Sequence, residues 1–179
     1  MPLPRATFAR DDMPQRLPDI IGKLYKPSLV GARQVIALSR SDAEKLPQLP
    51  SIAVISIVAP ERPPANLGGF THVLRLSFAD VDFLNRNLSS RAKAKLVHAF
   101  TEEQALAIRS FVEALPDEIT SVVVHCEGGY SRSCAIAVGL HRLYGYHAEL
   151  QQLSQANPSV VRVMMGDARG HHKPRKVRH

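Results

Sequence analysis

The sequence predicts an α/β fold in which a central, mostly parallel β-sheet is flanked by helices. Short runs rich in β-branched residues alternate along the chain with longer segments whose apolar residues recur at helical spacing. The run at residues 52–58, Ile-Ala-Val-Ile-Ser-Ile-Val, is almost continuously apolar, which is typical of a strand that helices cover on both faces. A length of 179 residues fits one such domain.

Four segments are predicted to be strands. Residues 34–38 and 52–58 are apolar and rich in residues that favour extended structure. Residues 72–78 alternate between apolar and polar side chains, and residues 121–125, Ser-Val-Val-Val-His, form the last strand. Because ligands of parallel sheets bind beyond the carboxyl ends of the strands, the residues that follow these segments are the first candidates for a functional site.

Three longer segments are predicted to be helices. The first begins after Thr101, which serves as its cap, and Gln104 three residues later completes a capping box. The second covers residues 133–144, directly after the last strand. The third covers residues 150–156 and is ended by Asn157-Pro158, since proline disfavours helical geometry in the residue before it.

The two ends of the chain differ from its middle in proline content and in charge. Residues 1–33 contain five prolines, which remove amide donors, so we predict an irregular amino-terminal arm before the functional domain at residues 34–166. Residues 167–179 form a basic tail, either solvated and disordered or an electrostatic tether to nucleic acid or another anionic partner. Much of the net charge of +7 lies there, on Arg169, Lys173, Arg175, Lys176 and Arg178.

Composition restricts where the protein works. No run of 18 apolar residues occurs, so we predict no membrane-spanning segment and no membrane partner. The first residues lack the apolar region of a secretory signal. The two cysteines, Cys126 and Cys134, are too few for a disulfide framework. A reducing, cytoplasmic location is therefore predicted, with thiols available for chemistry.

One of these cysteines follows the last predicted strand, in His-Cys-Glu-Gly-Gly-Tyr-Ser-Arg-Ser at residues 125–133. A strand, a glycine-bearing loop and a helix start together form a site for an anion, because loop amides and the positive end of the helix face it. The same dipoles stabilise a thiolate at Cys126. Arg132, five residues further on, offers a planar fork of donors to two phosphate oxygens. The alternative is a buried, inert cysteine at the end of a strand.

Residues 125–133 resemble the His-Cys-x5-Arg-Ser signature of the cysteine-based protein tyrosine phosphatases, and the Gly-Tyr-Ser-Arg-Ser ending is similar to their dual-specificity branch. Residues 74–81, Leu-Arg-Leu-Ser-Phe-Ala-Asp-Val, are similar to the approach to the acid loop in bacterial members. The resemblance extends over residues 34–165 and implies a phosphatase-like sheet. It does not include the arm or the tail.

The resemblance implies a role for each loop residue. Cys126 is the nucleophile, Arg132 stabilises the phosphoryl oxygens, Ser133 assists departure of the thiolate, and His125 orients the loop or is a core histidine. Residues 127–132 would bind the phosphate: Glu127, Gly128, Gly129, Tyr130, Ser131 and Arg132. No metal and no cofactor is implied, because the sulfur itself attacks phosphorus.

The family also supplies a general acid from an upstream loop. Asp80 and Asp82 are the candidates, and Asp80 is preferred because it follows the strand more directly. Either aspartate is otherwise a residue that forms a turn or a cap. The chain departs from compact dual-specificity enzymes here, because a basic insert at residues 85–95 separates the acid from the nucleophile.

The acidic residue Glu127 in this loop indicates the class of substrate. Lipid-directed relatives carry lysines inside this loop, whereas this loop has an acid and no lysine, so a phosphoprotein, phosphotyrosine first, is the predicted substrate and partner. Cys134 is expected to face the core, and Arg162 to be a surface or ion-pair residue. Four other functions are retained: a catalytically silent phosphate-binding module, a phosphatase for RNA ends or phosphoinositides, a sulfurtransferase and an arsenate reductase.

Overall fold

Four parallel strands form a single sheet in the computed structural model of the chain, which describes residues 15–27 and 32–166. The strands lie in the order β1-β4-β2-β3, so β4 and β2 are the central pair. Their bounds are β1 (Gln34–Ser39), β2 (Ile52–Val58), β3 (His72–Ser77) and β4 (Ser121–Cys126). The predicted α/β fold with a parallel sheet is therefore confirmed.

Six α-helices and two short 3₁₀ segments accompany the sheet within the described residues. The helices are α1 (Leu17–Tyr25), α2 (Arg40–Ala43), α3 (Ser90–Ala94), α4 (Glu102–Glu113), α5 (Arg132–Tyr144) and α6 (Pro158–Met165), and the 3₁₀ segments are Leu96–His98 and Leu150–Leu153. Across residues 15–27 and 32–166, no helix has the length and apolar character needed to cross a bilayer.

The sheet is buried on both faces because successive residues of a strand point to opposite sides. On β4, Val122 and Val124 pack into a cluster with α4, α5 and α6. Val123 points the other way and packs with α1, α2 and the loop after β2. All six residues of β4 are buried, which explains why its sequence is almost continuously apolar.

The prediction of an irregular arm is wrong for residues 17–25, which form α1. Pro18 lies in the first turn of this helix, where its missing N–H has no intrahelical partner to lose. Ile20 and Leu24, four residues apart, bury the apolar face of the helix against the sheet. The first 14 residues of the arm and the tail at 167–179 lie outside the described residues.

Two further predictions about helices need correction. The predicted helix at 150–156 is a short 3₁₀ segment, and the α-helix of this region begins instead at Pro158. Asn157-Pro158 starts a helix because asparagine caps it and proline fits the first turn. The basic insert contains α3, which has no buried residue and therefore no apolar periodicity that could have predicted it.

Arg33 fixes the position of β1 relative to β4. Its Nε donates to the carbonyl of Ile119 at 2.8 Å, and its Nη2 donates to the carbonyls of Leu115 at 3.1 Å and Pro116 at 2.8 Å. These carbonyls follow the end of α4 and precede β4. One guanidinium thus supplies hydrogen bonds to three backbone carbonyls of the loop that leads into β4, the strand that carries Cys126.

Candidate active site

The loop between β4 and α5 lies at the carboxyl edge of the sheet, next to its centre. β4 ends at Cys126 and α5 begins at Arg132, so the five residues between them connect a central strand to a helix amino terminus. Parallel strands present their ligand sites at this edge, and the first amides of a helix have no acceptor within the helix. The sequence-predicted strand–loop–helix arrangement is therefore present.

The thiol of Cys126 is held inside this loop. The backbone N–H of Gly129 donates to its Sγ at 3.2 Å, and the hydroxyl of Ser133 lies 3.1 Å from the same sulfur. Cys126 is only 2 % exposed, so the sulfur lies at the base of the loop rather than on the surface. A thiolate at this position would accept both hydrogen bonds.

Gly129 allows the loop to close over the sulfur. Its φ is +81°, a conformation that residues with a side chain rarely adopt. A Cβ built on it would lie 2.5 Å from the carbonyl carbon of Leu38 and 2.3 Å from the nitrogen of Ser39. The loop backbone therefore lies directly against the end of β1, and no side chain can be accommodated between them.

Arg132 is buried although it carries a charge. Its Nη1 donates to the carbonyl of Phe78 at 3.0 Å, which fixes the guanidinium at the end of β3. Its Nε is buried and has no hydrogen-bond partner among the described residues. Because an unpaired buried donor of a guanidinium is costly, this atom is suited to an anion bound in the loop.

The structure separates the two candidate acids. The carboxylate of Asp80 accepts hydrogen bonds at 2.9 Å from the hydroxyl of Ser131, inside the loop, and at 2.9 Å from the side-chain amide of Asn157. The carboxylate of Asp82 instead accepts from Ser159 and, at 3.0 Å, from the backbone N–H of Leu84. Asp80 thus contacts the loop directly, whereas Asp82 binds the start of α6 and its own turn.

Asn157 is a site residue that sequence reasoning missed. Its side-chain oxygen caps α6 by accepting from the amides of Ser159 and Val160. Its side-chain amide binds Asp80, and its backbone N–H donates to the carbonyl of Ser131 at 3.2 Å. The sequence signal was an asparagine before a proline at a helix start, which indicates a cap but not these long-range contacts.

Two loop side chains lie at the rim rather than over the sulfur. Glu127 is bound by Arg62 at 2.9 Å and lies 3.8 Å from Arg40, which in turn donates to the backbone of the proline-rich loop after β2. Tyr130 is 58 % exposed, and its ring lies over Gly128. The ion pairs of Glu127 fix the proline-rich loop against the candidate phosphate-binding loop.

His125 supports the loop from the opposite face of the sheet. Its Nε2 lies 2.6 Å from the Ser56 hydroxyl and its Nδ1 lies 3.3 Å from the Cys126 carbonyl. A carbonyl can only accept, so Nδ1 carries the proton and Nε2 accepts from Ser56. Burial lowers the pKa of His125, chiefly by desolvation, so the ring is neutral and positions the backbone of Cys126.

The second cysteine differs from the first in environment. Cys134 is fully buried on α5, facing the core as predicted, and its thiol points to the carbonyl of Gly129 at 3.4 Å. Burial raises the pKa of Cys134 to about 12, so it remains a neutral thiol near neutral pH. Arg162 is exposed on α6, with no ion pair among the described residues.

The described ranges contain no group of three or more His, Cys, Asp or Glu side chains arranged to hold a metal ion. The side chains that converge are a thiol, a guanidinium, a hydroxyl and a carboxylate. Together they offer a nucleophile, an anion-binding donor and a group able to carry a proton.

The similarity of this chain to known proteins is weak. No protein-family model matches the chain, and no curated protein matches it significantly. A solved structure described as the crystal structure of Tk-PTP in the active form is similar to it, with 17% sequence identity and a TM-score of 0.46. That similarity covers 76% of this chain and 91% of the other.

The buried, neutral His125 predicts a specific dependence of stability on pH. The pKa of this ring is lower in the folded state than its ordinary value, so below about pH 6.5 the unfolded chain binds a proton that the folded chain does not. The free energy of unfolding should fall with acidification by up to ~1.4 kcal/mol per pH unit from this residue. His125→Gln should remove that part of the slope, measured by urea unfolding between about pH 5 and pH 8.

The exposed His98 provides the control, because His98→Gln should keep the wild-type slope. Equal slopes in the wild type and His125→Gln would show that the ring is not held neutral by burial.

Proposed function

We propose that the protein is a cysteine-dependent phosphatase that hydrolyses phosphate monoesters, phosphotyrosine in proteins first, through a phosphocysteine intermediate. The observation that carries this proposal is the buried Arg132 Nε, which has no hydrogen-bond partner among the described residues and lies across the loop from a sulfur that accepts from Gly129. A donor fork and a nucleophile within one loop suit a tetrahedral oxyanion. The contact of Asp80 with that loop adds a proton carrier.

In the first step the Cys126 thiolate attacks phosphorus and the bond to the leaving oxygen breaks. Arg132 and the amides of the loop stabilise the equatorial oxygens as charge accumulates on them. Asp80, in its protonated form, gives its proton to the leaving oxygen, so the product departs as a neutral alcohol or phenol. Ser131 and Asn157 hold the Asp80 carboxyl toward the loop.

In the second step water attacks the phosphocysteine and the sulfur leaves. Asp80, now ionised, accepts the proton of the water, which returns the acid to its starting form. The Ser133 hydroxyl, 3.1 Å from Sγ, donates to the departing thiolate and stabilises it. Inorganic phosphate is released, and no redox change or external cofactor is required.

The form of the loop favours a phosphoprotein over a lipid headgroup as the substrate. Residues 127–132 contain no lysine that could bind further phosphates, and Glu127 forms an ion pair at the rim with Arg62, 2.9 Å between the charged atoms. Exposed Tyr130 offers a ring at the same rim for stacking on a phenyl group. A panel of phosphotyrosine and phosphoserine peptides measures the preference.

The proposal is tested by assaying p-nitrophenyl phosphate and phosphotyrosine peptides in EDTA. Cys126→Ser should lower kcat by about 10⁴-fold or more, because the hydroxyl is a far weaker nucleophile. Asp80→Asn should lower kcat by about 10²-fold, because an amide cannot act as a general acid. Asp82→Asn is the matched control and should retain activity within about threefold, since Asp82 contacts α6 and its own turn.

Full activity in Cys126→Ser would contradict the mechanism. Phosphopeptide binding without turnover in the wild type would instead identify a silent binding module. Loss of activity in Asp82→Asn with full activity in Asp80→Asn would reassign the acid. Thiosulfate:cyanide transfer or arsenate reduction in place of phosphate release would identify the other cysteine chemistries.

A further inference from the structure

A surface segment of unusual composition borders the candidate site. Residues 83–98, called here the 83–98 segment, follow Asp82 and contain α3 and the 3₁₀ turn Leu96–His98. Fourteen of its sixteen residues are exposed, and α3 has no buried residue. The segment therefore contributes little to the core.

The carboxyl end of the segment is fixed at the edge of the site. The carbonyl of His98 accepts from the N–H of Ala79 at 2.8 Å, one residue before Asp80. The ring of Phe100 packs on that of Phe78 with centroids 4.7 Å apart, and the carbonyl of Phe78 binds Arg132. The segment thus leaves from the acid loop and returns to it.

The charge of the segment has one sign. It carries four exposed basic side chains and no acid: Arg86, Arg91, Lys93 and Lys95. No ion pair involves any of the four within residues 15–27 and 32–166. A group of unpaired cations around a site attracts anionic partners and raises their rate of association.

Apolar side chains are exposed in the same segment. Half of the large hydrophobic residues exposed in the described part of the chain lie here: Phe83, Leu84, Leu96 and Val97. Val97 is 80% exposed, more than any other of them. Apolar groups among unpaired basic ones are typical of a surface that binds a partner.

We propose that the 83–98 segment binds acidic residues that flank the phosphorylated residue of a phosphoprotein substrate. This rests on the proposed phosphatase function and adds the class of sequence that the site selects. A substrate residue seated over Cys126 places its neighbours in the chain beside the acid loop, from which the segment extends. Glutamate or aspartate there would meet Arg86, Arg91, Lys93 and Lys95, and an apolar neighbour would contact Leu96 and Val97.

A peptide fits this surface better than an anionic membrane does. An interfacial helix needs a long apolar face, whereas α3 has five residues with the sequence Ser-Arg-Ala-Lys-Ala. The apolar residues lie outside that helix, in two pairs near the two ends of the segment. An extended peptide can contact such separate positions along its length, because its side chains project at regular intervals.

The test compares two phosphotyrosine peptides of equal length, one flanked by glutamates and one by glutamines, with p-nitrophenyl phosphate as the substrate without flanks. Wild type should show a kcat/KM on the order of tenfold higher for the glutamate peptide at low salt. That preference should shrink as the salt concentration rises to about 0.5 M, because exposed charges are screened. Arg91→Glu with Lys93→Glu should abolish it, while hydrolysis of p-nitrophenyl phosphate stays within about twofold.

The matched control is Lys26→Glu with Arg142→Glu, which makes the same change in net charge. Lys26 follows α1, and Arg142 lies in the last turn of α5, away from the loop where that helix begins. This variant should keep the preference for the glutamate peptide. If it loses the preference as fully as the Arg91/Lys93 variant does, the effect belongs to overall charge and the proposal is wrong.

Three other results would overturn the proposal. Equal kcat/KM for the two peptides in wild type at low salt would show that the segment does not select acidic flanks. Binding to phosphatidylserine vesicles that depends on Arg91 and Lys93, with no effect of these residues on either peptide, would identify a membrane surface. A dimer that is lost in the Arg91/Lys93 variant, again without an effect on peptides, would identify a second copy as the occupant.

If the protein is not a phosphatase, the binding surface can still be tested without catalysis. In that case p-nitrophenyl phosphate is not hydrolysed, and fluorescence anisotropy of the two labelled peptides still measures the preference. Tighter binding of the glutamate peptide that is lost in the Arg91/Lys93 variant supports the surface without catalysis. Equal binding of both peptides contradicts it.

Discussion

The hydrogen bond from the Gly129 amide to the Cys126 sulfur is the contact on which the site depends, because it exists only if the loop closes in one conformation. Closure requires the positive φ of Gly129 and the contact of its backbone with the end of β1. It also requires β4 to lie between β1 and β2, where the register places Cys126 beside Ser39. The order of the strands thus sets the position of the Cys126 thiol.

A second set of contacts joins this loop to elements far away in the sequence. Asn157 caps α6, holds Asp80 and donates to the loop carbonyl of Ser131, so one buried side chain connects a helix, an acid and the loop. Arg132 adds a link to the end of β3 through Phe78. The groups that would bind and protonate a substrate are therefore held by the rigid part of the fold, as preorganised electrostatic stabilisation requires.

Local patterns in the sequence were sufficient for much of this structure. The capping box of Thr101 and Gln104 and the four strands were predictable because each depends on residues close together in the chain. The position of Cys126 at the end of β4 and of Arg132 at the start of α5 was predictable for the same reason. α1 was missed because prolines were interpreted as breaking the chain into irregular structure, whereas Pro18 occupies a first helical turn.

The choice between Asp80 and Asp82 depends on contacts with Ser131, Asn157 and Ser159, and no local pattern contains those contacts.

The most direct measurement is a crystal structure after soaking with tungstate, a tetrahedral oxyanion that does not undergo phosphoryl transfer. In the wild type we expect one anion over the Cys126 sulfur, accepting hydrogen bonds from the Arg132 Nε and from amides of the loop. In Arg132→Met we expect no anion at this position. An empty loop in the wild type, with tungstate bound only at exposed basic side chains, would contradict it. In that case the sulfur would be a buried thiol at the end of a strand and not a nucleophile.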